Sequence, residues 1–133
     1  GSNKLRQVFT PSRDLTVDQV AVFTSGTGTV RVTLQQGNST IGSWSAATSG
    51  ENHNVIGIGS TQLRAGTTYH LEFSAESGSL NMLTFRDGSL GTGYAYAQGG
   101  SWGDGHAQIS SGGGWSNLFF TYADVAGVVF RTR

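Results

Sequence analysis

The stretch that decides the fold is Thr29-Val30-Arg31-Val32-Thr33-Leu34-Gln35, in which apolar and polar residues alternate. Successive side chains of a β-strand point to opposite faces, so this alternation places the two valines and the leucine together on one face. Thr68-Tyr69-His70-Leu71-Glu72-Phe73-Ser74 repeats the pattern, with its tyrosine, leucine and phenylalanine on one face. Both stretches predict half-buried antiparallel strands.

Further apolar runs extend this pattern along the chain. They predict strands at Arg6–Thr10, Leu15–Phe23, Ile41–Ala46, Asn54–Ile58, Leu80–Phe85, Tyr94–Ala97, Leu118–Tyr122 and Val125–Thr132. Turn-forming residues predict the breaks, at Gly26 and Gly28, Gly37-Asn38, Ser49-Gly50, Ala65-Gly66, Ser77-Gly78 and Asp87-Gly88. No window shows a helical stripe, and short strands at this spacing are typical of a sandwich or barrel. We therefore predict an all-β fold: an antiparallel β-sandwich, jelly-roll-like in topology.

Composition limits the class of protein. The 133 residues suit one domain, and we interpret residues 3–133 as a single module and Gly1-Ser2 as a cloning scar. Only 12% of residues are charged, eight basic residues balance eight acidic ones, and cysteine is absent. Scattered basic residues argue against nucleic acid and against an electrostatic membrane anchor as partners. The lack of cysteine excludes thiol catalysis, cysteine-bound zinc and disulfides.

The surface composition also suggests a location. Ser, Thr, Gly and Asn are frequent, and no stretch approaches the ~20 apolar residues of a membrane span. We expect a monomeric module cut from a longer, secreted protein, with localisation outside the cell.

The stretch Arg86–Asn117 is the best candidate for a binding surface. It holds two of the three tryptophans and two of the four tyrosines among ten of the 21 glycines. Flat aromatic faces beside a few polar groups suit a sugar ring, whose C–H faces stack on π-systems while its hydroxyls need hydrogen-bond partners.

The aromatic residues of this stretch differ in what they predict. Trp102 lies between glycine-rich segments with few apolar neighbours, which makes it the better stacking platform. Trp115 precedes a predicted strand, so we expect it to fill the core, although it stays a candidate ligand contact. Tyr94 and Tyr96 would share one face of a strand, either as a sugar-binding strip or as a cross-strand aromatic pair. Trp44 is expected in the core or at an edge.

Polar residues of the same stretch complete the candidate site. Arg86 and Asp87 close a predicted strand, where a salt bridge or an Asx turn is the simpler interpretation. A guanidinium also reads carboxylates and vicinal hydroxyls, so Arg86 is where we would look for contact with a uronic acid. The remaining hydrogen-bonding candidates are Asp104, His106 and Asn117.

Catalysis and metal binding receive little support from the sequence. No nucleophile elbow, nucleotide loop or zinc motif occurs. A glycosidase needs two carboxylates about 5–9.5 Å apart, and only Asp87 and Asp104 lie in an aromatic-rich setting. These two and Asp124 are the only plausible calcium donors, without Asp-x-Asp spacing. We predict no catalytic residues, leave a metal site undecided, and expect no cofactor apart from the calcium considered next.

Several motifs together resemble a known class of module. They are Gln7-Val8-Phe9-Thr10, Leu15-Thr16-Val17-Asp18-Gln19-Val20, Leu63-Arg64-Ala65-Gly66-Thr67-Thr68-Tyr69-His70-Leu71, the glycine-rich stretch with Trp102 and Trp115, and Asn117-Leu118-Phe119-Phe120-Thr121-Tyr122. The chain resembles the β-sandwich accessory modules of bacterial extracellular glycosidases, polysaccharide lyases and surface proteins, and in plan the jelly-roll carbohydrate-binding modules. The resemblance implies a structural calcium as an option and a covalently linked catalytic module in the parent protein.

Three hypotheses for function follow. The first is a non-catalytic carbohydrate-binding module that tethers a secreted multimodular enzyme to polysaccharide or oligosaccharide. The second is a structural or adhesive sandwich that spaces domains on a surface or fibre protein, which would bury the tryptophans. The third, a small hydrolase or lyase, would need paired carboxylates or a His–Tyr pair in one cleft.

Overall fold

The computed structural model describes residues 4–48, 52–85, 105–110, 113–117, 125–126 and 128–130. These residues form β1 (Lys4–Phe9), β2 (Leu15–Gln36), β3 (Ser39–Thr48), β4 (Asn52–Leu63), β5 (Tyr69–Met82), β6 (Thr84–Phe85), β7 (Gly105–Ser110), β8 (Ser116–Asn117), β9 (Val125–Ala126) and β10 (Val128–Phe130). Every pairing between them is antiparallel. The predicted all-β antiparallel, sandwich-like fold is confirmed. The described residues include no helix that could span a membrane.

The long strand β2 organises the sheets. Its first part, Leu15 to Thr24, pairs with β4, and residues 20–22 also pair with β10. Its second part pairs with β5 on one side and with β3 on the other. Beyond β5 the order continues through β1 and β7 to β8, while β6 pairs with β9. A single strand therefore belongs to two differently paired regions, and the jelly-roll-like connectivity stays a prediction.

Glycines lie within the paired strands β2 and β5 at positions where the sequence predicts turns. The predicted breaks at Gly26, Gly28 and Ser77-Gly78 are wrong, because both strands run through them, with Gly28 opposite Gly78. A Cβ on Gly28 would collide with the carbonyl oxygen of Ser77, and Gly26 and Gly78 have φ values of 93° and 82°. Such φ values favour glycine both in turns and in bent strands. The predicted turns at Gly37-Asn38 and Ala65-Gly66 are confirmed.

The buried face of the sheets forms the core, as the alternating stretches predict. Val30, Val32 and Leu34 of β2 are fully buried, and so are Tyr69, Leu71 and Phe73 of β5, each at most 2% exposed. The ring of Phe9 stacks on Tyr69 with centroids 5.6 Å apart and meets Phe130 edge-on at 5.5 Å. Trp44 packs against this cluster while partly buried, which confirms the prediction for it.

The opposite face of the same strands is polar. Along β1, Leu5, Gln7 and Phe9 are buried, whereas Lys4 is exposed and Arg6 and Val8 are half-buried. Register then aligns polar residues of neighbouring strands, because residues directly opposite each other share a face. Arg6 lies opposite Glu72 of β5 and opposite Gln108 of β7. This polar surface over β5, β1 and β7 is called the outer face below.

Candidate ligand-binding groove

An open groove of about 520 Å³ runs along the outer face. Strands β1 and β5 form its floor, the turn after β2 closes one side, and residues around 113–115 close the other. The lining side chains on which its chemistry depends are Lys4, Arg6, Gln35, His70, Glu72 and Trp115. We call this feature the outer-face groove. It combines one aromatic ring with groups that donate and accept hydrogen bonds.

Arg6 is the central side chain of the groove. Its guanidinium carbon lies 4.0 Å from the centroid of the Trp115 ring, which is a cation–π contact. Its Nε donates a hydrogen bond to Oε1 of Gln108 at 2.8 Å. Nη1 lies 3.4 Å from Nδ1 of His70, and because arginine can only donate, that nitrogen is the acceptor. Arg6 is therefore held from three sides by residues of β7, β5 and the segment before β8.

The charges in the groove do not cancel. Nζ of Lys4 lies 3.6 Å from Oε1 of Glu72, so these two groups form a loose ion pair. Within the described ranges Arg6 has no ion pair of its own. Partial burial of the guanidinium lowers the pKa of Arg6, and the nearby charge of Glu72 opposes this shift. The guanidinium stays charged at neutral pH, since its ordinary pKa lies far above that range.

A second polar cluster lies farther along β2, β3 and β5. Nη2 of Arg31 pairs with Oε1 of Glu76 at 2.9 Å, and Oγ of Ser45 donates to Oε2 of Glu76 at 2.6 Å. The hydrogen bond from Ser45, followed by that from Arg31, lowers the pKa of the Glu76 carboxyl. Its partners occupy both carboxylate oxygens, so we interpret this cluster as structural.

Most of the site residues expected from the sequence lie outside the described residues. These are Arg86, Asp87, Tyr94, Tyr96, Trp102 and Asp104. His106 and Asn117 belong to described strands, and their backbone register is opposite Val8 of β1 and Gln108 of β7, respectively. The register therefore brings these two positions to the strands beside the groove.

The expectation that Trp115 fills the core is wrong. Its side chain is half-buried, it is absent from the buried cluster, and it lines the groove beneath Arg6. The physical reason is local: Gly113 and Gly114 before it are exposed, and β8 begins directly after it at the edge of the sheet next to β7. Its place among the candidate contacts is consistent with this position.

The sequence interpretation missed Lys4, Arg6, His70 and Glu72 as candidate site residues. Alternation marks all of them as outward-facing, which is the signal that could have found them. Alternation does not tell which strands are neighbours, however, and Arg6 and Gln108 are 102 positions apart. Only the sheet order β5-β1-β7 brings them together.

Metal binding gains no candidate from the described part of the chain, where no three histidine or acidic residues cluster. The three aspartates considered for calcium, Asp87, Asp104 and Asp124, lie outside it. A structural calcium therefore stays a prediction.

Comparisons with known proteins add no family to this description. Neither the protein-family models, nor the curated proteins, nor the solved structures gave a match.

Proposed function

We propose that this protein is a non-catalytic carbohydrate-binding module that holds a polysaccharide or oligosaccharide in the outer-face groove. The observation that supports the proposal is the guanidinium of Arg6 stacked on the ring of Trp115 in the wall of an open groove. A sugar offers C–H faces to flat surfaces and hydroxyls to donors and acceptors. The groove brings together an aromatic ring, hydrogen-bond donors and a hydrogen-bond acceptor.

The mixture of polar groups fits hydroxyls. Lys4 and Arg6 only donate hydrogen bonds, Glu72 accepts them, and the amide side chains of Gln35 and Asn38 do both. Each hydroxyl of a sugar is at once a donor and an acceptor, so such a set can satisfy neighbouring hydroxyls on one ring. An open groove also accommodates a chain better than an enclosed pocket does.

A non-catalytic role agrees with the carboxylates of the groove. Within its described lining, Glu72 is the single carboxylate, and it pairs with Lys4. Glycoside hydrolysis by the usual mechanism uses two carboxylates about 5–9.5 Å apart. Binding without turnover is the activity that this arrangement supports best.

The proposed context is a secreted multimodular enzyme that this module tethers to its polymer. We expect weak affinity for each module, which becomes useful when linkage raises the local concentration of substrate. The residues Trp102, Tyr94, Tyr96, Arg86, Asp87, Asp104, His106 and Asn117 stay proposed contacts of the same ligand.

Titration calorimetry with a panel of neutral and acidic polysaccharides tests the proposal. Two variants, Trp115→Leu and Trp44→Leu, provide a matched pair, because the same substitution is made in the groove and against the core. We expect Trp115→Leu to weaken binding at least about fivefold, the equivalent of roughly 1 kcal/mol, for loss of the aromatic wall. Trp44→Leu should lower the melting temperature and leave affinity unchanged.

Failure to bind any polymer in the panel would overturn the proposal and favour the structural or adhesive spacer. Equal loss of affinity in both variants would show that the effect of Trp115→Leu comes from altered folding. Thermal melts of both variants, run in the same buffer, establish that each is folded during the titrations.

A further inference from the structure

We propose that the outer-face groove selects carboxylated sugars, and that Arg6 binds the carboxylate of a uronate residue. This inference rests on the proposed function and names the class of sugar that the groove would take. Three observations support it: the net charge of the groove, the contacts that orient Arg6, and the N–H groups of Arg6 that have no hydrogen-bond partner among the described residues.

The charge balance favours an anionic ligand. Lys4 and Arg6 share Glu72 as the one carboxylate of the described lining, which leaves one positive charge in excess there. A cation that is partly removed from water and lacks a carboxylate partner is less stable than one with such a partner. A ligand carboxylate would supply that partner, and a neutral sugar would not.

Arg6 is oriented before any ligand arrives. The hydrogen bond from Nε to Gln108 and the contact with Trp115 fix the plane of the guanidinium. A side chain that is already ordered loses less conformational entropy when it binds. Lysine at this position could not be held in the same way, because an ammonium group has no plane to stack and no fork of donors.

The unused N–H groups lie at the end of the guanidinium. Nε is occupied by Gln108, and one hydrogen of Nη1 points to His70. Nη2 has no hydrogen-bond partner in the described part of the chain, and Nη1 has a second hydrogen. These two nitrogens form the end-on fork that binds both oxygens of a carboxylate.

The small positive charge of the groove favours a uronate as ligand over a phosphate polymer. One positive charge in excess among the described lining residues matches one carboxylate on one sugar ring. Nucleic acids are held by several basic residues along the backbone, and the net charge of this chain is zero. The groove therefore fits a sugar that presents one carboxylate to Arg6.

Oligogalacturonate and oligomannuronate, each compared with the same oligosaccharide after reduction of its carboxyl groups, are the probes that test the inference. Titration calorimetry of the wild type should give at least about tenfold tighter binding of the acidic form, as expected for loss of one charge-assisted bidentate contact. Arg6→Gln should abolish that preference, and Arg6→Lys should retain only part of it. The charge-matched control is Arg64→Gln, an exposed residue outside the groove, which should preserve the preference.

A variant that binds acidic oligosaccharides more tightly than the wild type cannot be explained by misfolding. Glu72→Gln removes the acidic group of the groove and frees Lys4, so acidic oligosaccharides should bind severalfold more tightly. Destabilised protein would not produce such a gain.

Equal binding of acidic and reduced oligosaccharides would overturn the inference while leaving the carbohydrate-binding proposal intact. Binding of dextran sulfate as tightly as of uronate would also overturn it, because the groove would then act as a general anion site. Absence of binding to every sugar would instead refute the proposed function itself.

Discussion

The guanidinium carbon of Arg6 lies over the ring of Trp115 on the outer face, 4.0 Å from the ring centroid. Arg6 belongs to β1, and Trp115 lies directly before β8, two strands away. The contact therefore links the first strand of the chain to a segment near its end. It also fixes the side chain that we propose as the principal ligand contact.

The Arg6–Trp115 contact should contribute to stability. We expect a double-mutant cycle with Arg6→Gln and Trp115→Leu to give a coupling free energy of about 0.5–1 kcal/mol, because the pair is partly exposed. Urea denaturation of the wild type, the two single variants and the double variant measures it. A coupling indistinguishable from zero would show that the two side chains do not interact in solution.

The pairing of β2 with β5 at Gly28 should not tolerate a methyl group. We expect Gly28→Ala to lower the free energy of unfolding by about 1–3 kcal/mol, because its Cβ would press on the Ser77 carbonyl oxygen. Gly57→Ala is the matched control, since Gly57 has open space and no positive φ. Urea melts that show both variants equally stable would contradict the close approach of the two strands.

One buried hydroxyl should be dispensable. Oγ1 of Thr24 is buried, and no described residue forms a hydrogen bond with it. Thr24→Val keeps the shape and removes an unsatisfied group, so we expect the protein to become more stable by about 1 kcal/mol. As the control, Thr33→Val removes a hydroxyl that lies 3.1 Å from Oγ of Ser43 and should give no such gain. A loss of stability in Thr24→Val on thermal denaturation would mean that its hydroxyl has a partner in solution.

Glu76 should contribute to stability at neutral pH and lose that contribution in acid. Its pKa is lowered in the folded protein by Ser45 and Arg31, from an ordinary value of 4.5. A lowered folded pKa gives stability that is present above the unfolded pKa and is lost as the pH falls through the folded one. We therefore expect the stability of Glu76→Gln to fall less steeply than that of the wild type below about pH 5.

Chemical denaturation at several pH values measures this difference. Ser45→Ala should give an intermediate slope, because it removes the largest cause of the shift and leaves Arg31 in place. Parallel pH profiles for wild type and Glu76→Gln would contradict the assignment.

The core could be predicted from the sequence because it depends on local alternation. Val30, Val32, Leu34 and the inward residues of β5 follow from the period of two alone. The continuation of β2 through Gly26 and Gly28 could not be predicted in this way. Gly26 has a positive φ that serves a turn and a bent strand equally well, and only pairing with β5 decides between them.

The groove depends on information that no local pattern carries. Trp115 looked like a core residue because it precedes an apolar run, yet the edge position of β8 leaves its ring half-exposed. Arg6 looked like an ordinary outward-facing residue of an alternating strand. Arg6 can be recognised as a site residue only when β5 and β7 are known to flank β1.

The most direct test of the central claim is a ¹H–¹⁵N NMR titration of the unmodified protein with the tightest-binding oligosaccharide. We expect the indole N–H signal of Trp115 and the Nε–H signal of Arg6 to shift together in a saturable manner, while the indole signal of Trp44 stays in place. Saturable shifts at Trp102 without change at Trp115 and Arg6 would place the sugar elsewhere and contradict the claim that the outer-face groove is the binding site.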